Sequence, residues 1–249
     1  MIIKFPEVAA TMRFAGLIKQ SLIDYPDEMA AVLFTRGCNF ACPFCHNGHL
    51  LYKPGRKTGP DLGMDEVLDF LRERKGFLDA VVFSGGEPTQ DRELVQAIHV
   101  IKRLGYLVKL DTNGSNPDIL AELLNGKQLD YVAMDVKAPL EFKKYQAACG
   151  GRLRPQDFLS VRNSIHLLSE SSIKVEFRTT VVPALHSPDD LVDIARSLEG
   201  AHLFTLQQFQ PENALDPALT TVQPYTQGQL EEMAQACAPY VQKVRVVNL

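Results

Sequence analysis

The chain has 249 residues, of which 45% are hydrophobic and 22% charged, and its net charge is −4. This length suits one large domain or two small ones and supports a buried core without disulfides. The acidic balance argues against a nucleic-acid partner, because proteins that bind phosphate backbones present a basic face. No apolar run approaches about 18 residues, so no membrane span is predicted. Met1–Pro6 is too short for a signal peptide, and we expect a cytoplasmic protein.

Short β-branched segments alternate with amphipathic segments along most of the sequence. The predicted strands are Ala30–Thr35, Ala80–Ser84, Leu107–Asp111, Tyr131–Asp135, Lys174–Val182 and Leu203–Phe209. The predicted helices are Met64–Leu71, Leu94–Leu104, Asp118–Leu124, Phe142–Cys149, Phe158–Leu168, Leu191–Leu198 and Leu230–Tyr240. Several strands are nearly continuous apolar runs, which is typical of parallel strands covered on both faces. The alternation predicts an α/β fold with a parallel sheet and right-handed crossovers.

The ends of the chain add two short segments to this pattern. Phe14–Ile18 and Val244–Val247 are predicted as extra strands with no assigned place in the sheet. The sequence shows no internal repeat and no linker. We therefore predict a single domain over residues 1–249, with its core at about residues 14–210 and a C-terminal helix and strand within residues 226–249.

Unusual polar residues gather at the C-terminal ends of the predicted strands. A cysteine-rich loop follows the first strand, and the next three end at Ser84–Pro88, Asp111–Gly114 and Asp135–Lys137, while Arg178 lies within the fifth. Each segment also has an ordinary structural interpretation, as a turn, a helix start or an ion pair. In a parallel barrel, however, these strand ends share the face where active sites are built. We therefore expect these residues to converge on one site.

Cys38, Cys42 and Cys45 form the pattern Cys-x3-Cys-x2-Cys, which places three thiolates on one short loop. Zinc sites and most iron–sulfur clusters take four protein ligands. Three cysteines without a local fourth therefore suggest a cluster with one coordination position left open for chemistry. The alternative is a zinc knuckle that uses His46 or His49 as its fourth ligand. A disulfide is disfavoured because the cysteines are few and odd in number.

The cysteine pattern, taken with Gly85-Gly86-Glu87-Pro88, resembles the radical S-adenosylmethionine (SAM) superfamily. The resemblance implies a 4Fe–4S cluster whose open iron holds the amine and carboxylate of SAM, and a GGEP element that binds the SAM amino group. The segments Ser21–Pro26, Asp111–Gly114 and Met134–Lys137 further resemble the glycyl-radical-enzyme activating enzymes, most closely the activators of anaerobic ribonucleoside-triphosphate reductase.

This resemblance implies a partial (β/α)6 TIM-type barrel that is open on one side, so that a protein loop can enter. The implied cluster ligands and catalytic residues are Cys38, Cys42 and Cys45. The implied cofactor-binding residues are Ser84, Gly85, Gly86, Glu87, Asp111, Thr112, Asn113, Asp135, Lys137 and Arg178. Among these, Asp111, Thr112 and Asp135 match positions that hold a monovalent cation beside the SAM carboxylate in related activases.

The implied reaction is reductive cleavage of SAM at the cluster, after which a 5′-deoxyadenosyl radical generates a glycyl radical on a partner enzyme. Cys149 and Cys237 are predicted to be core residues, so we expect the electron to come from a flavodoxin or ferredoxin. The basic segment Lys53–Lys57 is either a solvated loop or a docking surface for that donor. Two alternatives stay open: a radical SAM enzyme that acts on a small molecule, similar to 7-carboxy-7-deazaguanine synthase, and a zinc-binding module without catalysis.

Overall fold

The structure, a computed structural model, describes residues 11–51 and 61–248 of the chain. The strands are β1 (Arg13–Phe14), β2 (Gly16–Ser21), β3 (Ala30–Thr35), β4 (Leu62–Gly63), β5 (Ala80–Gly85), β6 (Leu107–Thr112), β7 (Tyr131–Asp135), β8 (Lys174–Val181), β9 (Leu203–Gln208) and β10 (Val244–Val247). The helices are α1 (Met64–Glu73), α2 (Leu94–Arg103), α3 (Pro117–Asn125), α4 (Phe142–Ala148), α5 (Pro155–Ser169), α6 (Pro188–Ser197) and α7 (Gln227–Cys237). The segment Lys53–Lys57 lies outside the described residues.

Eight of these strands form one sheet in the order β10-β9-β8-β7-β6-β5-β3-β2. All neighbouring strands pair in parallel except β2, which runs antiparallel to β3. Because strand order follows chain order from β3 onward and helices connect most successive strands, the sheet is a series of βα units. The strands β2 and β10 lie at opposite edges, so the sheet is open. The predicted α/β class with a mainly parallel, open sheet is confirmed.

The six predicted parallel strands all form, and their observed ends differ from the predicted ones by no more than one residue. The N-terminal extra strand is divided between β1, which pairs with β4, and the longer β2, which adds an antiparallel edge to the sheet. The C-terminal segment places β10 beside β9. The single-domain assignment stays a prediction.

The two faces of the sheet carry different side chains. Val81 and Phe83 of β5 belong to the large core between the sheet and the helices. Ala80 and Val82 point the other way, into a small apolar cluster on the inner face, because successive side chains of a strand alternate. Tyr25 and Tyr131 pack together in this inner cluster with ring centroids 5.6 Å apart. The inner face is thus filled at the N-terminal ends of the strands.

The helices bury apolar stripes against the outer face. In α1 the buried residues Met64, Val67, Leu68 and Leu71 recur at helical spacing. The helix α6 begins with Pro188 and with a capping box between Ser187 and Asp190. Among residues 11–51 and 61–248, no helix is long and apolar enough to cross a bilayer.

Candidate active site

A cavity of about 220 Å³ lies at the C-terminal ends of the parallel strands. Every residue that the sequence predicted for the site lines this cavity: Cys38, Cys42, Cys45, Ser84, Gly85, Gly86, Glu87, Asp111, Thr112, Asn113, Asp135, Lys137 and Arg178. The remaining lining residues are Phe40, Phe44, His46, Asn47, Leu51, Thr180 and Gln207. The strand ends therefore bring these segments together, as predicted from their positions; the role of each residue stays a prediction.

The cysteine loop is held at several points along its length. Its first glycine, Gly37, has a positive φ of 86° and donates its N–H to the carbonyl of Leu50 at 2.9 Å. Within the loop, the N–H of Cys45 donates to the carbonyl of Cys42 at 3.0 Å. The N–H of Ala41 donates to the carbonyl of Cys149 at 3.2 Å. The loop is thus a fixed turn rather than an extended strand continuation.

The three thiols suit a cluster better than a single metal ion. Among the described residues, no group of three His, Cys, Asp or Glu side chains is gathered closely enough to hold one ion. A structural zinc ion needs four ligands at about 2.0–2.3 Å from one point, whereas a 4Fe–4S cluster offers a separate iron to each cysteine. Thiols on one cavity wall that do not converge on one point therefore fit the cluster and disfavour the zinc knuckle.

The protonation of these thiols bears on cluster assembly. Burial and the Glu87 carboxylate raise the pKa of the Cys38 thiol to about 12. Burial also raises the pKa of Cys45. A hydrogen bond from Cys149 lowers the pKa of Cys42. Because the thiolate is the metal ligand, loading the cluster must displace the protons of Cys38 and Cys45.

Cys149 and Cys237 are both buried, in agreement with their prediction as core residues. Cys149 lies against the cysteine loop, while the thiol of Cys237 faces the carbonyl of Leu191 at 3.4 Å. These two cysteines are therefore in separate parts of the fold.

The double glycine lets the end of β5 approach the cysteine loop closely. A Cβ at Gly86 would lie 1.8 Å from the carbonyl oxygen of Gly37. Gly85 has a φ of 111°, and a Cβ there would lie 2.6 Å from the backbone of Thr35. The N–H of Glu87 donates to the carbonyl of Gly37 at 2.8 Å. Only glycine fits these positions without moving the backbone, so the packing of the two loops explains the Gly85-Gly86 pair.

The Glu87 carboxylate is buried and bonded within the protein. Its Oε1 accepts hydrogen bonds from the hydroxyls of Thr89 at 2.6 Å and Thr112 at 2.8 Å. Its Oε2 accepts from the backbone N–H of Asn113 at 2.6 Å. Burial raises the pKa of Glu87, and these hydrogen bonds oppose that rise. The carboxylate thus holds the loop after β6 in place.

Asn113 extends this connection to the cysteines. Its Nδ2 donates to Oδ1 of Asn39 at 3.0 Å and to Sγ of Cys38 at 3.7 Å. Its own Oδ1 accepts from the N–H of Ser115 at 2.9 Å. The side chain therefore joins the loop after β6 to the cysteine loop.

A second wall of the cavity is made of paired charges. The guanidinium of Arg178 donates to Oδ1 of Asp135 at 2.8 Å and to Oδ1 of Asp111 at 3.4 Å. The ammonium of Lys137 donates to Oδ2 of Asp135 at 2.8 Å. Ser84 donates its hydroxyl to Oδ2 of Asp111 at 2.9 Å. Parallel pairing places Asp135 directly beside Arg178, which accounts for their contact.

Both carboxylates are ionised at neutral pH. Burial would raise the pKa of Asp135, but Arg178 and Lys137 outweigh it and hold that pKa at about 2. Burial would likewise raise the pKa of Asp111, and the positive charges of Arg178 and Lys109 lower it. The wall therefore presents fixed anions and fixed cations in alternation.

Several contributors to this site were missed in the sequence, among them His186 and Lys109. His186 accepts a hydrogen bond at Nδ1 from the N–H of Val182, so its Nε2 carries the proton and donates to the carbonyl of Lys137 at 2.8 Å. Its ring also contacts Phe44, with centroids 6.4 Å apart. Lys109 pairs with Asp111 at 2.9 Å. An isolated histidine gave no sequence signal, whereas Lys109 precedes Asp111 by two residues and so shares its face of β6.

An open parallel sheet with a three-cysteine loop at its C-terminal face defines a cofactor-dependent α/β enzyme. The profile of the radical SAM superfamily matches residues 32–198. A protein provisionally named a glycyl-radical enzyme activating enzyme in Methanocaldococcus jannaschii is 35% identical over 244 residues, which cover 94% of this chain and 96% of that protein. The pyruvate formate-lyase-activating enzyme of Clostridium pasteurianum is 30% identical over 179 residues, or 70% of each chain.

The chain therefore belongs to the radical SAM superfamily, within the family of the glycyl-radical-enzyme activating enzymes. It is an enzyme whose cofactors are a 4Fe–4S cluster and SAM. The crystal structure of Streptococcus suis SuiB bound to its precursor peptide SuiA is similar in fold, with a TM-score of 0.63 at 14% identity over 87% of this chain and 48% of that one. The predicted partial TIM-type barrel is confirmed.

Proposed function

We propose that this enzyme generates a glycyl radical on a partner protein, and that the partner is anaerobic ribonucleoside-triphosphate reductase. The observation that carries the proposal is the similarity to a glycyl-radical enzyme activating enzyme over nearly the full length of both chains. The cavity supports the proposal, since it is lined by the cysteine loop, by the loops that follow β5 and β6, and by the wall of paired charges. When bound, the cluster and SAM supply a 5′-deoxyadenosyl radical that abstracts a hydrogen atom.

Each group of residues has a proposed part. Cys38, Cys42 and Cys45 hold the cluster through their thiolates. The backbone at Gly85-Gly86 approaches the amine of SAM, and the cations Lys137 and Arg178 face its carboxylate. Asp111, Thr112 and Asp135 are the proposed donors for a monovalent cation: both carboxylates are ionised, and Thr112 lines the same cavity.

The remaining groups support and enclose these contacts. Ser84 holds Asp111, and Asn113 and Glu87 join the loops after β5 and β6 to the cysteine loop. Phe40 and Phe44 are buried beside the cysteines and shield the cluster from water, which helps to set its potential.

The electron and the substrate both come from outside the chain in this proposal. The sequence holds five cysteines, which is too few for a second four-cysteine cluster beside the three-cysteine one. A flavodoxin or ferredoxin is therefore the proposed donor. In this proposal a glycine-bearing loop of the partner enters at the open side of the sheet, whose edge strands are β2 and β10. A cytoplasmic location and the absence of nucleic-acid and membrane partners stay predictions.

The decisive experiment is anaerobic electron paramagnetic resonance on the reconstituted protein with SAM, a reductant and candidate glycyl-radical enzymes. We expect a SAM-dependent doublet near the free-electron position with anaerobic ribonucleotide reductase, absent with Cys38→Ala and retained with the matched variant Cys237→Ala. Formation of 5′-deoxyadenosine without a protein radical on any candidate would favour a small-molecule substrate. A wild-type protein that releases no 5′-deoxyadenosine would contradict the proposed activity.

A further inference from the structure

Lys109 is a buried lysine at the base of the charged wall. It lies on β6 two residues before Asp111, so both side chains point to the inner face of the sheet. Its ammonium donates to the carbonyl oxygen of Asp24 at 2.6 Å and pairs with Oδ1 of Asp111 at 2.9 Å. It also lies 5.6 Å from the centroid of the Tyr131 ring. Only 3% of the residue is exposed to solvent.

These three contacts match what a buried ammonium needs. Removing a lysine charge from water is costly unless the charge is paired and its N–H groups are bonded. Here a carboxylate, a carbonyl oxygen and an aromatic face surround Nζ. The pairing carboxylate belongs to the cavity, whereas the carbonyl oxygen belongs to the turn after β2. Lys109 therefore connects the inner face of the sheet to the candidate SAM site.

The turn that supplies this carbonyl is built by its own side chains. The hydroxyl of Ser21 accepts hydrogen bonds from the N–H groups of Ile23 at 3.2 Å and Asp24 at 3.3 Å. The same hydroxyl donates to the carboxylate of Asp24. Tyr25 then packs against Tyr131 in the inner cluster. In the sequence, the segment Ser21–Pro26 was part of the family resemblance but had no assigned role. The structure shows that its turn fixes the carbonyl group of Asp24, which accepts a hydrogen bond from Lys109.

The charge balance of the wall shows what Lys109 adds. Counted over the side chains alone, without the proposed monovalent cation, two carboxylates, Asp111 and Asp135, face two cations, Arg178 and Lys137, and their charges cancel. With Lys109 included, the five groups carry one net positive charge. Each added positive charge strengthens the attraction of this wall for a carboxylate, because cations fully matched by protein anions offer little attraction to a further anion.

We propose that Lys109 is a positioning residue that neutralises Asp111 and leaves the guanidinium of Arg178 available to the carboxylate of SAM. This inference rests on the proposed placement of SAM in the cavity. It is independent of which protein or small molecule the radical attacks.

The test is SAM binding to the oxidised, cluster-loaded protein, measured by calorimetry and compared with binding of decarboxylated SAM. Lys109→Met keeps the length of the side chain and removes its charge. In this variant we expect the Kd for SAM to rise about tenfold, which is a loss of about 1.4 kcal/mol in binding free energy. The Kd for decarboxylated SAM should stay within about twofold of the wild-type value. The control variant is Lys102→Met, which removes the ion pair between Lys102 and Asp130 outside the cavity. It should change neither Kd.

A parallel loss of affinity for both ligands would show a purely structural role and overturn the inference, as would an unchanged Kd for SAM. Should Lys109→Met fail to fold or to load its cluster, Lys109→Gln keeps a hydrogen-bond donor without the charge and is judged by the same two affinities. A wild-type protein that does not bind SAM would overturn the placement of SAM itself. Failure of the glycyl-radical assay alone would leave this comparison unaffected.

Discussion

The Glu87 carboxylate and the backbone N–H of Asn113 form a 2.6 Å hydrogen bond that ties the loop after β5 to the loop after β6. Both loops face the candidate active site. Since Glu87 also accepts from Thr112 and Thr89, one buried carboxyl group organises backbone and hydroxyl donors from two strand ends. The geometry of the candidate SAM site thus depends on a side chain that is itself turned into the protein.

Glu87→Gln should therefore destabilise the protein and weaken SAM binding together. The amide replaces one acceptor oxygen by a donor that faces N–H and O–H donors, which leaves buried groups unpaired. We expect a loss of about 2–4 kcal/mol in the free energy of unfolding, measured by urea denaturation. Glu122→Gln on the exposed side of α3 is the control and should change it by less than about 0.5 kcal/mol. Equal stability of the two variants would show that Glu87 does not brace the loops.

Gly86→Ala should damage the cluster site without touching a cysteine. The added methyl group would lie 1.8 Å from the carbonyl oxygen of Gly37, so the cysteine loop has to move. We expect the iron and sulfide content after reconstitution to fall at least severalfold. Gly228→Ala, in the first turn of α7 with open space around it, should leave cluster content unchanged and stabilise the helix by up to about 1 kcal/mol. Full cluster loading by Gly86→Ala would contradict the close-packing argument.

The sequence was sufficient for the parallel strands and for most of the residues that line the cavity. Buried parallel strands are nearly continuous apolar runs, and site residues follow them at one end, so both are local features of the chain. The antiparallel place of β2 was not predictable in this way, because its pairing with β3 is set by a tertiary contact.

Contacts between distant residues were likewise beyond the sequence. Lys109 meets the carbonyl of Asp24, which lies 85 positions earlier, and no local pattern signals such a pair. Thr112 shows a similar limit. It lines the cavity with Asp111 and Asp135, and its part in holding a cation stays a prediction. The hydrogen bond that its hydroxyl donates to Glu87, 25 positions earlier, has no local signal in the sequence.

Arg245→Met should destabilise the C-terminal edge of the sheet. Glu176 is 3% exposed, and its Oε1 accepts from Arg245 at 2.6 Å and from Thr205 at 2.5 Å. Removing the arginine takes away the cation that pairs with the buried Glu176 carboxylate. Because Arg245 is itself partly exposed, we expect a cost of about 2 kcal/mol by urea denaturation, below the range for fully buried pairs.

Arg196→Met removes an exposed ion pair with Asp193 and a contact with the Tyr240 ring, and serves as the exposed control, with an expected cost of at most about 1 kcal/mol. In the double variant Arg245→Met and Glu176→Gln, part of the loss should be recovered, since the uncompensated charge is gone. Equal costs for the two arginine variants would refute the role given to Glu176.

The pairing of Asp135 with Arg178 and Lys137 should appear as a specific dependence of stability on pH. Its pKa of about 2 in the folded protein lies below the value of about 3.9 in an unfolded chain, so folding favours the ionised form. The resulting contribution, about 2–3 kcal/mol, is fully present above about pH 4 and is lost as pH falls toward 2. In urea denaturation we expect Asp135→Asn to be less stable than wild type by a constant amount between pH 5 and pH 7, and the gap to narrow below about pH 4. The control is Asp193→Asn at an exposed position. Its free energy of unfolding should differ from that of the wild type by less than about 0.5 kcal/mol over the whole pH range. A gap that widens on acidification would mean that the carboxylate is not held ionised by its two cations.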